Sequence, residues 1–528
     1  MNRSKSMSLI AWLAISAISP GVMAATPPPV ADIGAVVERA MKAFNVPGMT
    51  VAVVADGKVL YSAGQGAVEN GKPAAVDDRT LFQIGSVSKA FTAAAMALLV
   101  DEGRLDWDHP VIDYLPEFRM ADPWVTREFT VRDLLTHRSG LPLGAGDLLM
   151  FPDGNAAPAD IVGALRYLKP ASSFRSEFAY DNLLYIVAGE VIARVAAMPF
   201  MQFLEQRLLQ PLGMGDCVAY VERAASDASV ATAHVVVDGN LQTTGTKVSE
   251  LVAAAGGITC SARSMARWMQ FMLGEGVTVD GRRLISAGQF AQLVQPVTLL
   301  PVPSYLAANA GTSLNAYALG WNVSTFYGER MLSHSGGVWG MTTHLAILPR
   351  QKLAVFASGN QMTVAPRAVV HAIVDQFMGE QSITGHVDWV GVFEEEVRKR
   401  GAGADDVVAK AYAARNARSR PSRALAAYAG TYRDPWYGTI RIELQDGRLW
   451  FRSQRNPPLA GPLEHFQYDT FVARWSDRRL NADAYVTFNL APDGSVERIR
   501  MKAVSPATDF SYDFHDLDLV KEPEVAQE

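Results

Sequence analysis

The sequence predicts an α/β (α+β) protein: an antiparallel sheet flanked by helices, with a mostly helical subdomain, followed by a small C-terminal β-barrel. Three observations predict it. Strand-like runs stand at both ends of residues 25–384 while the middle is helical, so the sheet must be assembled from distant parts of the chain. The composition then changes over 385–423, where residues 394–400 are highly charged and 415–423 are basic. Beyond that segment, short alternating runs return, separated by Asp-Gly turns. With 528 residues, 49% of them hydrophobic and 19% charged, the chain can bury a large core.

The elements follow in order. Arg3 and Lys5 precede an apolar stretch from Leu9 to Ile18, and Val22-Met23-Ala24 offers a cleavage site, which is the pattern of a secretory signal over 1–24. A periplasmic or secreted location is expected. Ile33, Val36, Val37, Met41 and Phe44 repeat at helical spacing until Pro47-Gly48. Residues 49–55 and 58–62 read as a hairpin across Asp56-Gly57, a pair suited to two positive φ angles. From Ser86 to about residue 272 the pattern is helical, with helices over 130–135, 159–168 and 182–195. Strands over 319–324, 331–334, 343–348 and 353–358 then precede an apolar helix over 365–377.

Residues 385–423 read as a charged linker with helical stretches around a flexible Gly401-Ala402-Gly403. Strands over 428–432, 439–444, 448–452, 470–473, 484–490 and 496–501 form the small barrel of 424–528. A chain ended near residue 384 is therefore expected to keep the larger fold. Cys217 and Cys260 are the only cysteines; export permits a disulfide, but two cysteines make no framework, and a bridge is not expected. The histidines lack metal-ligand clustering, so no metal or cofactor is expected. No basic stripe points to nucleic acid, and no internal apolar run has membrane-spanning length. The expected partner is a small molecule or short peptide as substrate.

Chemistry enters at Ser86-Val87-Ser88-Lys89, where a strand edge turns into a helix. Residues three apart on a helix share a face, so the Lys89 amine can reach the Ser86 hydroxyl, with the helix N-terminus favouring an anionic oxygen. Alone the motif is weak: Ser-x-x-Lys arises by chance about twice in such a chain, and a plain N-cap serine explains it equally well. Two more short motifs gain weight from their settings. Tyr180-Asp181-Asn182 precedes a helix, and His334-Ser335-Gly336-Gly337 ends a strand. A tyrosine over a cleft can move protons, an amide can position an amine, and a glycine-lined strand edge can offer an N–H to an oxyanion.

With these three motifs in order, the chain resembles the penicillin-recognising serine hydrolases: class C β-lactamases, D-aminopeptidases, DD-carboxypeptidases and family VIII esterases. The resemblance covers roughly residues 30–380 and includes Asp133 to Leu141, Gln210 to Met214, Gly256-Gly257-Ile258 and Tyr317 to Trp321. The segment 461–471 resembles the lipocalin-like appendage of such enzymes. The resemblance implies a β-lactamase/transpeptidase-like fold with Ser86 as nucleophile and Lys89 and Tyr180 as its proton-handling partners. It places Asn182 on Lys89 and the substrate amide, and the backbone N–H groups of Ser86 and Gly337 in an oxyanion hole. Which of Lys89 and Tyr180 is the acylation base stays open. Where class C β-lactamases carry Lys-Thr-Gly, this chain has His334-Ser335-Gly336, a part-time cation in place of a permanent one. That moves the expectation towards a D-aminopeptidase- or esterase-like hydrolase, ahead of a weak β-lactamase or DD-carboxypeptidase. A non-catalytic binder of peptidoglycan fragments is the reading from another class.

Overall fold

The computed structural model describes residues 30–244, 248–378 and 385–523. The signal expected over 1–24 lies outside the described residues. The main sheet is antiparallel and has eight strands, in the order Lys58–Gly66, Gly48–Ala55, Leu353–Gly359, Met341–Leu348, Glu329–Val338, Asn322–Phe326, Asn315–Tyr317 and Thr298–Leu299. The strand after the first helix, Val30–Phe44, thus pairs with one more than 300 residues later, with Met49 opposite Gly359. The hairpin turn is as expected, with Asp56 at φ 48° and Gly57 at φ 74°.

Alternation along the central strands builds two cores, one on each face of the sheet. Val51, Val53, Val355 and Ala357 pack with Val37 and Val369 under the helices Val30–Phe44 and Ala365–Met378. Ala52, Val54, Ala354 and Phe356 face the other way, towards the helix Ala262–Leu273, which in turn meets the helix Ser88–Asp101. That helix is buried nearly all round, and its alanines let neighbouring helices approach closely while Phe91 stacks on Trp268 at 3.9 Å. Among the described residues no single helix is long and apolar enough to cross a membrane.

Three expectations are corrected. The strand expected over 319–324 begins at Asn322, because the chain turns first, with Ala318 N–H donating to the Trp321 carbonyl at 2.7 Å. Residues 389–414 form one helix, Trp389–Ala414, in which Gly401-Ala402-Gly403 are helical. Trp389, Val390 and Phe393 anchor its start in the core, and the pairs Glu395–Lys399 and Asp406–Lys410 add support along it. Cooperative propagation along a long helix then offsets the glycine cost of about 1 kcal/mol each. Cys217 and Cys260 are bridged. The pairing of Val218 with Thr259 sets the two cysteines side by side, and closing a loop across 43 residues stabilises the fold by about 4 kcal/mol on chain entropy.

The C-terminal region is a closed barrel of eight strands, sealed by Gly430–Asp434 against Asp518–Lys521. Two of its strands, Ala460–Gln467 and Asp518–Lys521, are not apparent from the sequence. The first contains Gly461 and Pro462, poor strand formers, and the second is too short to show alternation. The barrel is not a detached appendage. Its buried Tyr512, Phe514 and Trp475 belong to the same hydrophobic core as Leu148, Leu149 and Met150 of the larger domain. Polar ties add to this: Arg455 pairs with Asp160 at 3.1 Å and Asn456 donates to the Pro152 carbonyl at 3.2 Å.

Candidate active site

Ser86 sits on a single 3-10 turn, Gly85–Val87, that runs directly into the helix Ser88–Asp101. The strand Glu329–Val338 passes against this turn at backbone contact distance. A Cβ at Gly336 would fall 1.9 Å from the Ile84 carbonyl oxygen, and one at Gly85, which has φ +53°, would fall 2.6 Å from the Gly337 nitrogen. Both positions therefore require glycine. The contact brings Ser86 and Gly337 to the same cleft of about 450 Å³, with Tyr180, Asn182, His334, Ser335 and Gly336 also in its lining.

Ser88 and Thr92, one turn apart, tie the helix to the segment Ala253–Gly257. Ser88 Oγ accepts from the Ile258 N–H at 3.2 Å and Thr92 Oγ1 donates to the Ala254 carbonyl at 2.7 Å. The same segment, stapled just beyond its end by the Cys217–Cys260 bridge, supplies a partner for Lys89. The Lys89 amine donates to Asn182 Oδ1 at 2.7 Å and to the Ala255 carbonyl at 2.8 Å, and lies 3.2 Å from Ser86 Oγ. Lys89 is wholly buried, and loss of hydration brings its pKa down to about 7 even though Asp147 and Asp181 pull the other way. A neutral amine has two hydrogens and one lone pair. The protonated amine donates its third hydrogen to Ser86 Oγ; once neutral, it can keep its two hydrogens on Asn182 and Ala255 and turn its lone pair to the Ser86 hydroxyl.

Tyr180 packs between the rings of His137, at 4.2 Å between centroids, and Phe510, at 5.9 Å, with the Lys89 nitrogen 4.8 Å above its own ring. Its hydroxyl hydrogen-bonds Ser86, and burial pushes its pKa well above the ordinary tyrosine value, so it keeps its proton. Asp133, in the segment 133–141, is structural: it closes a capping box with Thr130 and pairs with Arg138 and Arg175.

His334 lines the cleft, but its expected role as a part-time cation is corrected by its surroundings. Its Nδ1–H donates to the Ser335 carbonyl at 2.7 Å, so Nε2 is the acceptor and takes the Tyr317 hydroxyl at 2.8 Å. Burial, with Lys89 nearby, holds its pKa down at about 3. The permanent cation of the cleft is Arg367, on the helix Ala365–Met378, whose guanidinium donates to Ser335 Oγ at 2.7 Å. Ser335 in turn is within 2.8 Å of His344 Nδ1, so its hydroxyl proton is directed inward. Among the described residues no carboxylate pairs with Arg367. Sequence reasoning missed it because nothing local marks an arginine at a helix start as facing a strand 32 residues away.

Two expected results follow. His334→Lys places a second buried charge beside Lys89 and Arg367, so it lowers stability by about 3–5 kcal/mol. It brings no selective gain for carboxylate-bearing substrates, which thermal unfolding and the ratio of kcat/KM for a cephalosporin and a p-nitrophenyl ester will test. The contribution of two buried histidines to stability has a definite sign. The pKa values of His334 and His371 fall from 6.5 to about 3 on folding, so the stability that goes with burying them neutral is complete above pH 6.5 and is lost as pH falls from 6.5 towards 3.

The profile of the Beta-lactamase family matches residues 33–378, and that of a domain of unknown function, DUF3471, matches 414–521. Unguisins hydrolase ungD of Aspergillus violaceofuscus is 27% identical over 497 residues, covering 87% of this chain and 85% of that protein. Penicillin-binding protein 4 of Amycolatopsis lactamdurans is 29% identical over 310 residues, covering 58% and 78%. In fold, the chain is similar to the octameric penicillin-binding protein homologue from Pyrococcus abyssi, with a TM-score of 0.59 at 20% identity, covering 94% of this chain and all of that one. The class C beta-lactamase of Rhodobacter sphaeroides gives 0.53 at 22% identity, covering 65% and 97%. The sheet built from both chain ends, the turn that carries Ser86 and a match spanning most of the chain agree: this protein is a member of the beta-lactamase family, within the β-lactamase/transpeptidase-like serine hydrolases.

Proposed function

We propose that the protein is an exported hydrolase that forms an acyl-enzyme at Ser86 and hydrolyses an ester, amide or short peptide. The observation that carries this reading is the Lys89 amine, held by Asn182 and Ala255 within 3.2 Å of Ser86 Oγ. Ser86 Oγ attacks the substrate carbonyl carbon and its proton passes to Lys89. The oxyanion is held by the Ser86 and Gly337 backbone N–H groups. Tyr180 gives its proton to the leaving group and recovers one from Lys89, so that the Ser86 proton ends on the departing amine or alcohol. Water then attacks the acyl carbon by the reverse route, and Ser86 takes its proton back. A pKa near 7 suits Lys89 to be the base in acylation, while Tyr180, whose pKa is pushed far up, holds its proton in the resting site and gives it up only as one arrives from Lys89.

Apolar side chains stand around the cleft, Met150, Phe151, Trp339, Met362 and Phe510 among them. This favours a substrate with an apolar acyl part. The Cys217–Cys260 bridge supports an oxidising compartment and hence export. The similar proteins, a hydrolase and a penicillin-binding protein, fit the same chemistry. A second reading rests on Arg367: a guanidinium in the cleft that no carboxylate among the described residues pairs with favours substrates with a carboxylate, as in β-lactams and peptide C-termini.

The test is a turnover screen over p-nitrophenyl esters of increasing acyl length, D- and L-amino-acid amides, and a chromogenic cephalosporin. Turnover that rises with acyl length is expected, and none on any substrate overturns the proposal. In Arg367→Ala the kcat/KM for carboxylate-bearing substrates, relative to uncharged ones, falls by about tenfold or more, the value of a charged hydrogen bond. An unchanged ratio removes Arg367 as the carboxylate partner.

A further inference from the structure

The hydrogen-bond chain behind Lys89 does not end in the larger domain. Asn182 turns its Oδ1 to Lys89 and its Nδ2 to Asp147, donating to Oδ2 at 2.8 Å. The same Asp147 Oδ2 accepts from Ser511 Oγ at 2.9 Å. Ser511 belongs to the barrel, in the segment between its strands Val496–Ala503 and Asp518–Lys521. Two residues on, Asp513 is fully buried, and its carboxylate accepts the N–H groups of Gly146 at 2.7 Å and Leu148 at 3.0 Å, the two residues flanking Asp147. The barrel therefore grips the turn Asp147–Leu149 on both sides of Asp147 and touches the Asp147 side chain as well.

An amide side chain has a donor end and an acceptor end. Lys89 donates, so it needs the oxygen; only an acceptor opposite the nitrogen keeps the amide that way round. We propose that the C-terminal barrel completes the active site: Ser511 and Asp513 hold Asp147, and Asp147 is a positioning residue that orients the Asn182 amide and thereby holds the Lys89 amine against Ser86. This rests on the reading of Ser86 and Lys89 as nucleophile and base. Asp147 is fully buried and outside the cleft lining, so it acts through Asn182 and not on substrate. The groups that face Lys89 are Asp147 and Asp181, which favour its protonated form, the neutral rings of His137 and His334, and the rings of Tyr180 and Tyr185.

The experiment compares the full-length parent, Asp147→Asn, Ser511→Ala and Ser511→Thr, using an uncharged p-nitrophenyl ester and a fluorophosphonate probe. Asp147→Asn is expected to lower kcat and the labelling rate by about thirtyfold or more, while KM changes by less than about twofold. The acid limb of kcat/KM, set by Lys89 near pH 7 in the parent, moves to lower pH, because the Asn182 oxygen that accepts from the protonated amine is no longer held towards it. Ser511→Ala changes in the same direction by less, and Ser511→Thr restores the parent values. Parent-like kcat in Asp147→Asn overturns the inference, and so does a loss of kcat with the acid limb in place, which is what a merely structural role gives. If Asp147→Asn does not fold, Ser511→Ala decides by the same two readouts. A parent that is not labelled at Ser86 overturns the underlying reading instead, whereas a labelled parent with unaffected variants overturns the inference alone.

Discussion

Ser86→Ala abolishes both turnover and labelling by a fluorophosphonate, while thermal unfolding stays close to that of the parent. The hydroxyl is half-buried at the mouth of the cleft and carries no packing load, so its removal costs chemistry and little stability. The fall in kcat reaches about three powers of ten or more, because without the nucleophile only binding and oxyanion stabilisation remain. In the parent, labelling accelerates as pH rises through about 7, since the Lys89 amine accepts the Ser86 proton only when it is neutral. Mass spectrometry that places the adduct on another serine, or a labelling rate flat from pH 6 to 8, sinks this assignment. Labelling also separates the hydrolase from a peptidoglycan-fragment binder, which needs no activated hydroxyl.

A chain ended after Ala414, which keeps the helix Trp389–Ala414 and removes the barrel, loses turnover and soluble folding together. The expectation from the sequence alone is the opposite, that the larger domain stands by itself. Removal of the barrel takes Asp513 away from the Gly146 and Leu148 N–H groups, Ser511 from Asp147 and Phe510 from Tyr180. It also exposes the Leu148 to Phe151 run, whose Phe151 packs edge-on against Tyr512 at 5.1 Å. Apolar area uncovered on that scale favours aggregation, and loss of the turn that holds Asp147 costs about a hundredfold in rate even in molecules that fold. Gel filtration and ester turnover of the shortened chain test this. A soluble monomer with parent activity returns the barrel to the status of an appendage.

What could be read from the sequence was whatever depends on local pattern. The hairpin across Asp56-Gly57, the amphipathic first helix, the strands over 341–359 and most of the barrel strands follow from periodicity and turn chemistry that act within a few residues. The candidate residues Ser86, Lys89, Tyr180, Asn182 and Gly337 were found because short motifs mark them, and the fold does bring them to one cleft. Where local pattern is weak the reading failed, as in the glycine-containing helix Trp389–Ala414 and the Gly-Pro strand Ala460–Gln467.

The sequence by itself determined which side chains are available for chemistry and on which kind of element each one sits, because helix and strand periods, turn residues and motif spacing are properties of neighbouring residues. The protonation state of those side chains was decided only by the tertiary structure. His334 is neutral because Tyr317 and a buried strand enclose it, Lys89 titrates near 7 because burial strips its hydration, and the cation of the cleft is Arg367 from another helix. The Cys217–Cys260 bridge and the grip of Asp513 on the turn around Asp147 were decided in the same way. Desolvation and long-range contact depend on what the fold places around a group, and that information is spread over residues hundreds of positions apart.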